Sequence, residues 1–387
     1  MTEKPIRILR LIVRLNVAGP TLQAILLTNA MRQHDYETYL ACGGSPDEAD
    51  SMLYVAHEYH VEPIYLPELF PYLNPLRNFE AFLAIRRLIQ EVQPDIVHTH
   101  TTTAGFLGRI AARMVGVPVV VHTLHTHPFQ GYYNQARTNL FIIMERIGAY
   151  FSDSIITLSE SLRRELVDKY HITSKNRITV LPLGFDLRSF ADVKRKQGTF
   201  RATWNIPAEA PLVGIIGRLL PVKNHPLFLT AAATVREQIP DAQFVIVGDG
   251  EQRTALQGMV HELGLDQAVT FTGWQQNVEQ IYSDLDVLVT SSLNEGTPVP
   301  IIEAISTGCP VVATRVGGIP DLLEGGRLGT LVESGDADAL ANAIISTLRN
   351  PPDMADAQKT MLNRYSIERL ADDLDSLYHG LLSKKKS

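Results

Sequence analysis

Two pairs of charged residues in the C-terminal half have the types and spacing to hold a phosphorylated ligand. The first lies in Ser291-Ser292-Leu293-Asn294-Glu295-Gly296-Thr297-Pro298-Val299-Pro300-Ile301-Ile302-Glu303-Ala304, which follows an apolar run, Val287–Ser291, with the character of a buried strand. Pro298 and Pro300 open a helix, where the N–H that proline lacks would be unpaired anyway. Glu295 then sits in the turn before the helix and Glu303 early within it. Free amides at a helix start attract phosphate, and carboxylates flanking them accept hydrogen bonds from sugar hydroxyls. Taken alone, the pair could equally be a solvated turn residue and a carboxylate that complements the helix dipole.

The second pair is in Gly217-Arg218-Leu219-Leu220-Pro221-Val222-Lys223-Asn224. Arg218 at a strand end and Lys223 five residues later can neutralise a diphosphate, the arginine by its fork and the lysine as a point charge. A departing diphosphate gains negative charge, so such cations stabilise the transition state more than the ground state. They stand in the acidic half of the chain: residues 191–387 carry 17 basic and 24 acidic side chains, against 18 and 18 in residues 1–190. That balance, and the net charge of −7, argue against a nucleic-acid-binding surface.

Two further features lie in the N-terminal half. Gly19, in Leu15-Asn16-Val17-Ala18-Gly19-Pro20-Thr21, lets backbone approach a ligand closely. The run lacks the spaced glycines of a dinucleotide-binding turn, and Gly248-Asp249-Gly250 is a strand-to-helix turn specific to nothing by itself. Histidines cluster at His98, His100, His122, His125 and His127. They read as hydrogen-bonding groups lining a cleft rather than as a metal site, since alternation along a strand points His122 and His125 apart and neither cysteine nor aspartate joins them.

Elements that could position these residues recur along the whole chain. Short β-branched runs (Ile6–Leu15, Glu37–Ala41, Val61–Leu66, Asp95–Thr99, Val117–Thr123, Ser154–Ser159, Arg177–Leu183) alternate with helical-period segments, and the pattern restarts at Leu212–Arg218, Gln243–Gly248, Val269–Thr272, Val287–Ser291, Val311–Thr314 and Gly329–Val332. This is the signature of βαβ units. With 387 residues it predicts an α/β chain of two Rossmann-like, doubly wound parallel-sheet domains. The expected domains are residues 1–190 and 191–365, with a final helix and tail, 366–387, docked on the first. Ligands of such sheets bind beyond the strand C-termini. The segments Asn78–Gln90 and Asn139–Phe151 read as core helices, although they allow peripheral contact with a membrane. The tail Lys384-Lys385-Lys386 reads as a solvated end, with weak attraction to anionic lipid as the alternative. Cys42 and Cys309 read as reduced thiols, and no apolar run is long enough to span a bilayer, which suggests a cytoplasmic protein.

In order, these segments resemble the retaining GT-B glycosyltransferases of family four, the group 1 glycosyltransferases, over nearly the whole chain. The family's E-x7-E stands as Glu295 to Glu303, its G-R-L-x3-K as Gly217 to Lys223, its V-G-D-G as Val247 to Gly250, and its F-x-G as Phe271 to Gly273. Thr307 to Thr314 followed by Val316-Gly317-Gly318-Ile319-Pro320 matches the next strand and turn. The resemblance implies a metal-independent hexosyltransferase without a cofactor, moving sugar from a nucleotide-diphosphate sugar, a uridine one by family frequency, to a glycan or lipid-linked acceptor in cell-surface polysaccharide synthesis. Arg218 and Lys223 would bind the donor diphosphate, Glu303 the ribose and Glu295 the transferred sugar, with Gly296, Thr297, Pro298 and Val299 closing around it. Gly19 would approach the diphosphate from the opposite domain, and His125 would stand near the reacting centre. The chain departs from the pattern at Ala18-Gly19-Pro20, at Pro300, and at Thr101-Thr102-Thr103 after the H-T-H. Other readings are a GT-B nucleotide-sugar epimerase, a non-catalytic sugar-binding module, and a zinc hydrolase built on the histidines.

Overall fold

The computed structural model describes residues 4–16, 18–44, 51–71, 74–125, 129 and 135–386; His127 lies outside them. The chain forms two compact units, Met1–Phe185 with Ser366–Ser387, and Asp186–Tyr365.

The first unit is built on β1 (Arg7–Ile12), β2 (Glu37–Cys42), β3 (Ile64–Tyr65), β4 (Ile96–His100), β5 (Val119–Leu124), β6 (Ser154–Thr157) and β7 (Ile178–Val180), ordered β3-β2-β1-β4-β5-β6-β7. The second contains β8 (Leu212–Ile216), β9 (Gln243–Val247), β10 (Val269–Gly273), β11 (Val287–Thr290), β12 (Val311–Thr314) and β13 (Thr330–Val332), ordered β10-β9-β8-β11-β12-β13. The strands named here pair in parallel throughout. Both sheets are doubly wound and Rossmann-like, as the alternating runs predict. Each expected run forms a strand, and Val61–Leu66 contracts to the two residues of β3 at the sheet edge. Central strands such as Leu212–Ile216 are apolar on both faces because helices cover both faces of a parallel sheet.

The helix Ile367–Lys386 closes the first unit. Leu370, Ala371, Leu374 and Tyr378 form a stripe at helical spacing and are at most 2% exposed. Burying each leucine contributes roughly 1.5–3 kcal/mol. Polar contacts fix the register: Tyr36 donates to Asp375 (2.8 Å), and Arg369 donates to the carbonyls of Pro182 (2.8 Å) and Leu183 (2.7 Å). Among the described residues no helix is long and apolar enough to cross a membrane.

Candidate active site

In a doubly wound sheet the loops diverge where strand order reverses, leaving a crevice beyond the strand C-termini. In the second unit that point lies between β8 and β11. The loops that follow these two strands carry the two charged pairs. They enclose a pocket whose lining includes Gly217, Lys223, His225, Ser292, Glu295 and Pro298. Lys223 forms an ion pair with Glu295, and Ser292 donates a second hydrogen bond to the same carboxylate (2.8 Å). The two loops are tied directly: Ser291 Oγ donates to the carbonyls of Lys223 (3.0 Å) and Asn224 (2.9 Å), and Leu293 N donates to Val222 O (2.8 Å).

Glycine turns press on both loops. Gly317 has φ +53°, and a Cβ there would lie 1.9 Å from the carbonyl oxygen of Glu295. Gly248 has φ +129°, and its Cβ would meet the Gly217 oxygen at 2.0 Å. The V-G-D-G and V-G-G segments thus hold the pocket's walls by close backbone approach.

The remaining residues read from the sequence are distributed around this centre. Arg218 is exposed next to Gly217, Gly296 is exposed, Thr297 is half-buried, and Val299 begins the helix Val299–Ser306. Glu303 lies one turn into that helix, half-buried, and accepts a hydrogen bond from Tyr282 (2.7 Å). Desolvation of the carboxyl raises its pKa to about 7; Glu279 pushes the same way and the Tyr282 hydrogen bond opposes. A carboxyl with a raised folded-state pKa contributes stability that is full below its unfolded value, near 4.5, and is lost as pH rises through about 7. Glu303→Gln cannot titrate. Its thermal midpoint is therefore expected to match wild type at pH 5 and to exceed it progressively towards pH 8, and a constant offset across that range would refute the shift.

Tyr282 and His225 were not legible as site residues. His225 is wholly buried, lines the pocket, and neither ring nitrogen has a partner among the described residues. Burial, and then Lys223, lower its pKa to about 4, so the ring is neutral at physiological pH. The signal in the sequence is its place two residues after Lys223, at the start of the helix His225–Gln238.

In the first unit the order reverses between β1 and β4. Gly19 begins the helix Gly19–Ala30, and Thr101, held at φ +61°, accepts a hydrogen bond from Val13 N (3.3 Å) at the same end of the sheet. Three of the histidines depart from the expectation of a cleft lining. His98, His100 and His122 are at most 1% exposed and His125 is 9% exposed, because strands paired on both sides and covered by helices leave little room for solvent. His98 bridges Tyr378 (2.6 Å) and Thr123 (2.7 Å), His100 contacts His125 (3.0 Å), and His122 turns to the other face towards Thr99 (2.9 Å). Burial pushes all four pKa values down, that of His125 to about 3, so the rings are neutral. Among the described residues no group of three or more His, Cys, Asp or Glu is placed to hold a metal ion.

Known proteins resemble this chain in sequence and in fold. The family described as glycosyl transferases group 1 matches residues 196–368, and Glycosyltransferase Family 4 matches residues 18–189. The Escherichia coli UDP-Gal:alpha-D-GlcNAc-diphosphoundecaprenol alpha-1,3-galactosyltransferase is 30% identical over 84% of this chain and 85% of its own length. The chain belongs to the group 1, family four glycosyltransferases. Within the same family, the D-inositol 3-phosphate glycosyltransferase of Corynebacterium urealyticum is 30% identical over 74% of this chain and 72% of its own. The fold agrees with solved glycosyltransferase structures. The crystal structure of Anabaena Alr3699/HepE in complex with UDP superposes with a TM-score of 0.81 at 20% identity, covering 97% of this chain and 100% of that one. The apo lipopolysaccharide outer core galactosyltransferase WaaB superposes at 0.71 with 16% identity, covering 97% and 100%. The architecture is GT-B.

Proposed function

We propose that this glycosyltransferase moves a hexose, with retention of configuration and without a metal or other cofactor, from a UDP-sugar to a glycan or lipid-linked acceptor at the cytoplasmic face of a membrane. The observation that carries the reading is the Lys223–Glu295 pocket at the β8/β11 switch point, with Arg218 exposed at its edge and Glu303 one turn into the adjoining helix. The E. coli relative is named for a UDP-galactose donor and a diphosphoundecaprenol-linked acceptor, and the Anabaena structures hold UDP and UDP-glucose. Those names support the same classes of donor and acceptor here.

On this reading Arg218 and Lys223 bind the diphosphate, Glu303 the ribose and Glu295 the transferred sugar, while Gly296 to Val299 close around it. Gly19 and His125 are assigned to the reaction by family resemblance. The bond from the anomeric carbon to the diphosphate breaks as the bond to the acceptor oxygen forms on the same face, and the acceptor proton passes to the leaving phosphate. Neutral His225 can hydrogen-bond a ligand oxygen beside Lys223 without adding charge.

The test incubates the purified chain with UDP-galactose, UDP-glucose, UDP-N-acetylglucosamine and GDP-mannose, with and without glycan and lipid-diphosphate acceptors. Release of UDP, transfer that survives EDTA, and an α-linked product are expected. Arg218→Ala should weaken donor binding about 10- to 100-fold, the worth of one charge-assisted hydrogen bond. Turnover to an isomerised nucleotide sugar without acceptor would instead indicate an epimerase. If no nucleotide sugar binds, and Glu303→Ala and Arg218→Ala change nothing, the reading fails.

A further inference from the structure

Arg10 is a charge buried without a counter-ion. It lies within β1, is 0% exposed, and none of its three guanidinium nitrogens has a hydrogen-bond partner among the described residues. Arginine stays protonated in proteins, although burial draws the pKa of this one down while Tyr378 opposes the shift. An isolated charge in a core weakens the fold, so its presence asks for a role other than holding the sheet together.

The strand register shows what lies beside it. Arg10 pairs with His98 across β1 and β4, and alternation along β4 puts His98 and His100 on the face that carries Arg10. Thr123 on β5 and His125 just beyond it continue that face, with His100 in register with Thr123. Tyr378 meets His98 Nδ1 (2.6 Å), His98 Nε2 meets Thr123 Oγ1 (2.7 Å), and His100 Nδ1 meets His125 Nε2 (3.0 Å). The rings of His98 and His100 stack with centroids 4.5 Å apart. All three histidines are neutral. Each therefore holds one proton, and the nitrogen that carries it decides whether the ring donates or accepts there.

Arg10 sets that choice. The dipole of a neutral imidazole has its positive end at the N–H. Strand order β1-β4-β5 places His100 between Arg10 and His125. With its proton on Nδ1, His100 turns the positive end away from the guanidinium and donates to His125. With its proton on Nε2, it would bury an N–H that has no acceptor, in the field of a cation. His125 therefore accepts at Nε2 and keeps its own proton on Nδ1. The same charge draws the lone pairs of the Tyr378 oxygen, so that hydroxyl donates to His98. Of these rings His125, at 9% exposure, is the one that reaches the surface; His98 and His100 are at 0%.

We propose that Arg10 is a positioning residue for sugar transfer: through His100 it fixes His125 in the Nδ1–H form, so that His125 offers a substrate oxygen a hydrogen-bond donor and not a base. The proposal rests on the placement of His125 at the reacting centre put forward above.

The test measures melting temperature, and UDP release from a UDP-sugar with acceptor, for Arg10→Met, Arg10→Lys, His125→Ala and the combination of Arg10→Met with His125→Ala. Arg10→Met keeps the length of the side chain and removes the charge. Melting is expected to hold or rise, while turnover falls about tenfold, part of the worth of one preorganised donor. Arg10→Lys should restore most of the rate. In the His125→Ala background Arg10→Met should cost nothing further, because it acts through His125. Ring-nitrogen NMR of histidine-labelled wild type should place the protons of His100 and His125 on Nδ1, and Arg10→Met should shift part of that population to Nε2. A wild-type His125 protonated on Nε2 would overturn the proposal. So would a turnover loss in Arg10→Met that is matched by a fall in melting temperature, or one that persists undiminished in the His125→Ala background. Full turnover by Arg10→Met in an enzyme that His125→Ala disables would overturn this proposal alone. Full turnover by His125→Ala would instead remove His125 from the reacting centre, and the proposal with it.

Discussion

Replacement of Lys223 by alanine is expected to lower kcat/KM for sugar transfer by about 10²–10³-fold, the usual effect of removing one preorganised group that stabilises developing charge. The ammonium stands where the loops after β8 and β11 meet, tethered by Glu295, which Ser292 holds in turn. A cation anchored in this way loses little by reorganising when charge builds on a departing diphosphate. Most of the loss should therefore appear in kcat, with a smaller rise in KM. Lys223→Arg should recover only part of the rate, because a planar fork cannot reproduce the lysine's point contact with Glu295. The side chain is 26% exposed, so folding should survive and the melting temperature should stay near that of wild type. A Lys223→Ala enzyme within threefold of wild type would remove the diphosphate from this pocket.

The second large effect is on stability. Glu145→Ala is expected to destabilise the first unit by about 3–5 kcal/mol, the cost of breaking a buried ion pair and leaving one charge behind. Arg109 and Glu145 are 0 and 1% exposed and 2.8 Å apart, and Arg109 also donates to the carbonyl of Gly105 (2.8 Å). Burial keeps the guanidinium from bulk solvent once the carboxylate is gone. Space is equally tight: a Cβ on Gly148 would lie 2.3 Å from Arg109 Cζ, so glycine there makes room for the arginine. Thermal unfolding should fall by roughly 10 °C in the single variant. The double substitution Arg109→Met with Glu145→Leu should recover most of the loss, because it removes both charges together. If the single and double variants melt alike, the pair is not what holds the helix Gln135–Tyr150 to its neighbour Thr102–Val115.

Much of the fold is legible in the sequence because a parallel sheet covered on both faces makes its central strands short, largely apolar runs. Leu212–Ile216 and Val287–Thr290 declare themselves in this way, and their loops then declare the site. The E-x7-E and G-R-L-x3-K segments are local, so Lys223 and Glu295 could be recognised although their pairing spans 72 residues. Partnerships between distant elements leave no such trace. Nothing near Glu303 names Tyr282 as its donor, and nothing near Lys223 shows that His225 will be buried with both ring nitrogens unpartnered. His98, His100 and His122 mislead for a related reason: H-x-H at a strand end resembles a lining, but helices cover β4 and β5 and take these rings inside. The helix Gln135–Tyr150 is legible only in part, since apolar periodicity does not reveal that Phe141 and Met144 turn to the core while Leu140, Ile143 and Ile147 stay exposed.

The hydrogen bond from Tyr36 to Asp375 spans 339 residues, and it bears on how the molecule is made. The first unit is formed by residues up to Phe185 yet is completed by a helix that follows the whole second unit. The unit Asp186–Tyr365 is continuous and can fold while the chain is still emerging from the ribosome. Until residues 366–386 have been made, the face that Leu370, Leu374 and Tyr378 will cover stays open to water, and His98 lacks the Tyr378 hydroxyl that will satisfy one of its nitrogens. The helix Ile367–Lys386 therefore acts as a latch, and a chain cut before it would leave the first unit unsealed.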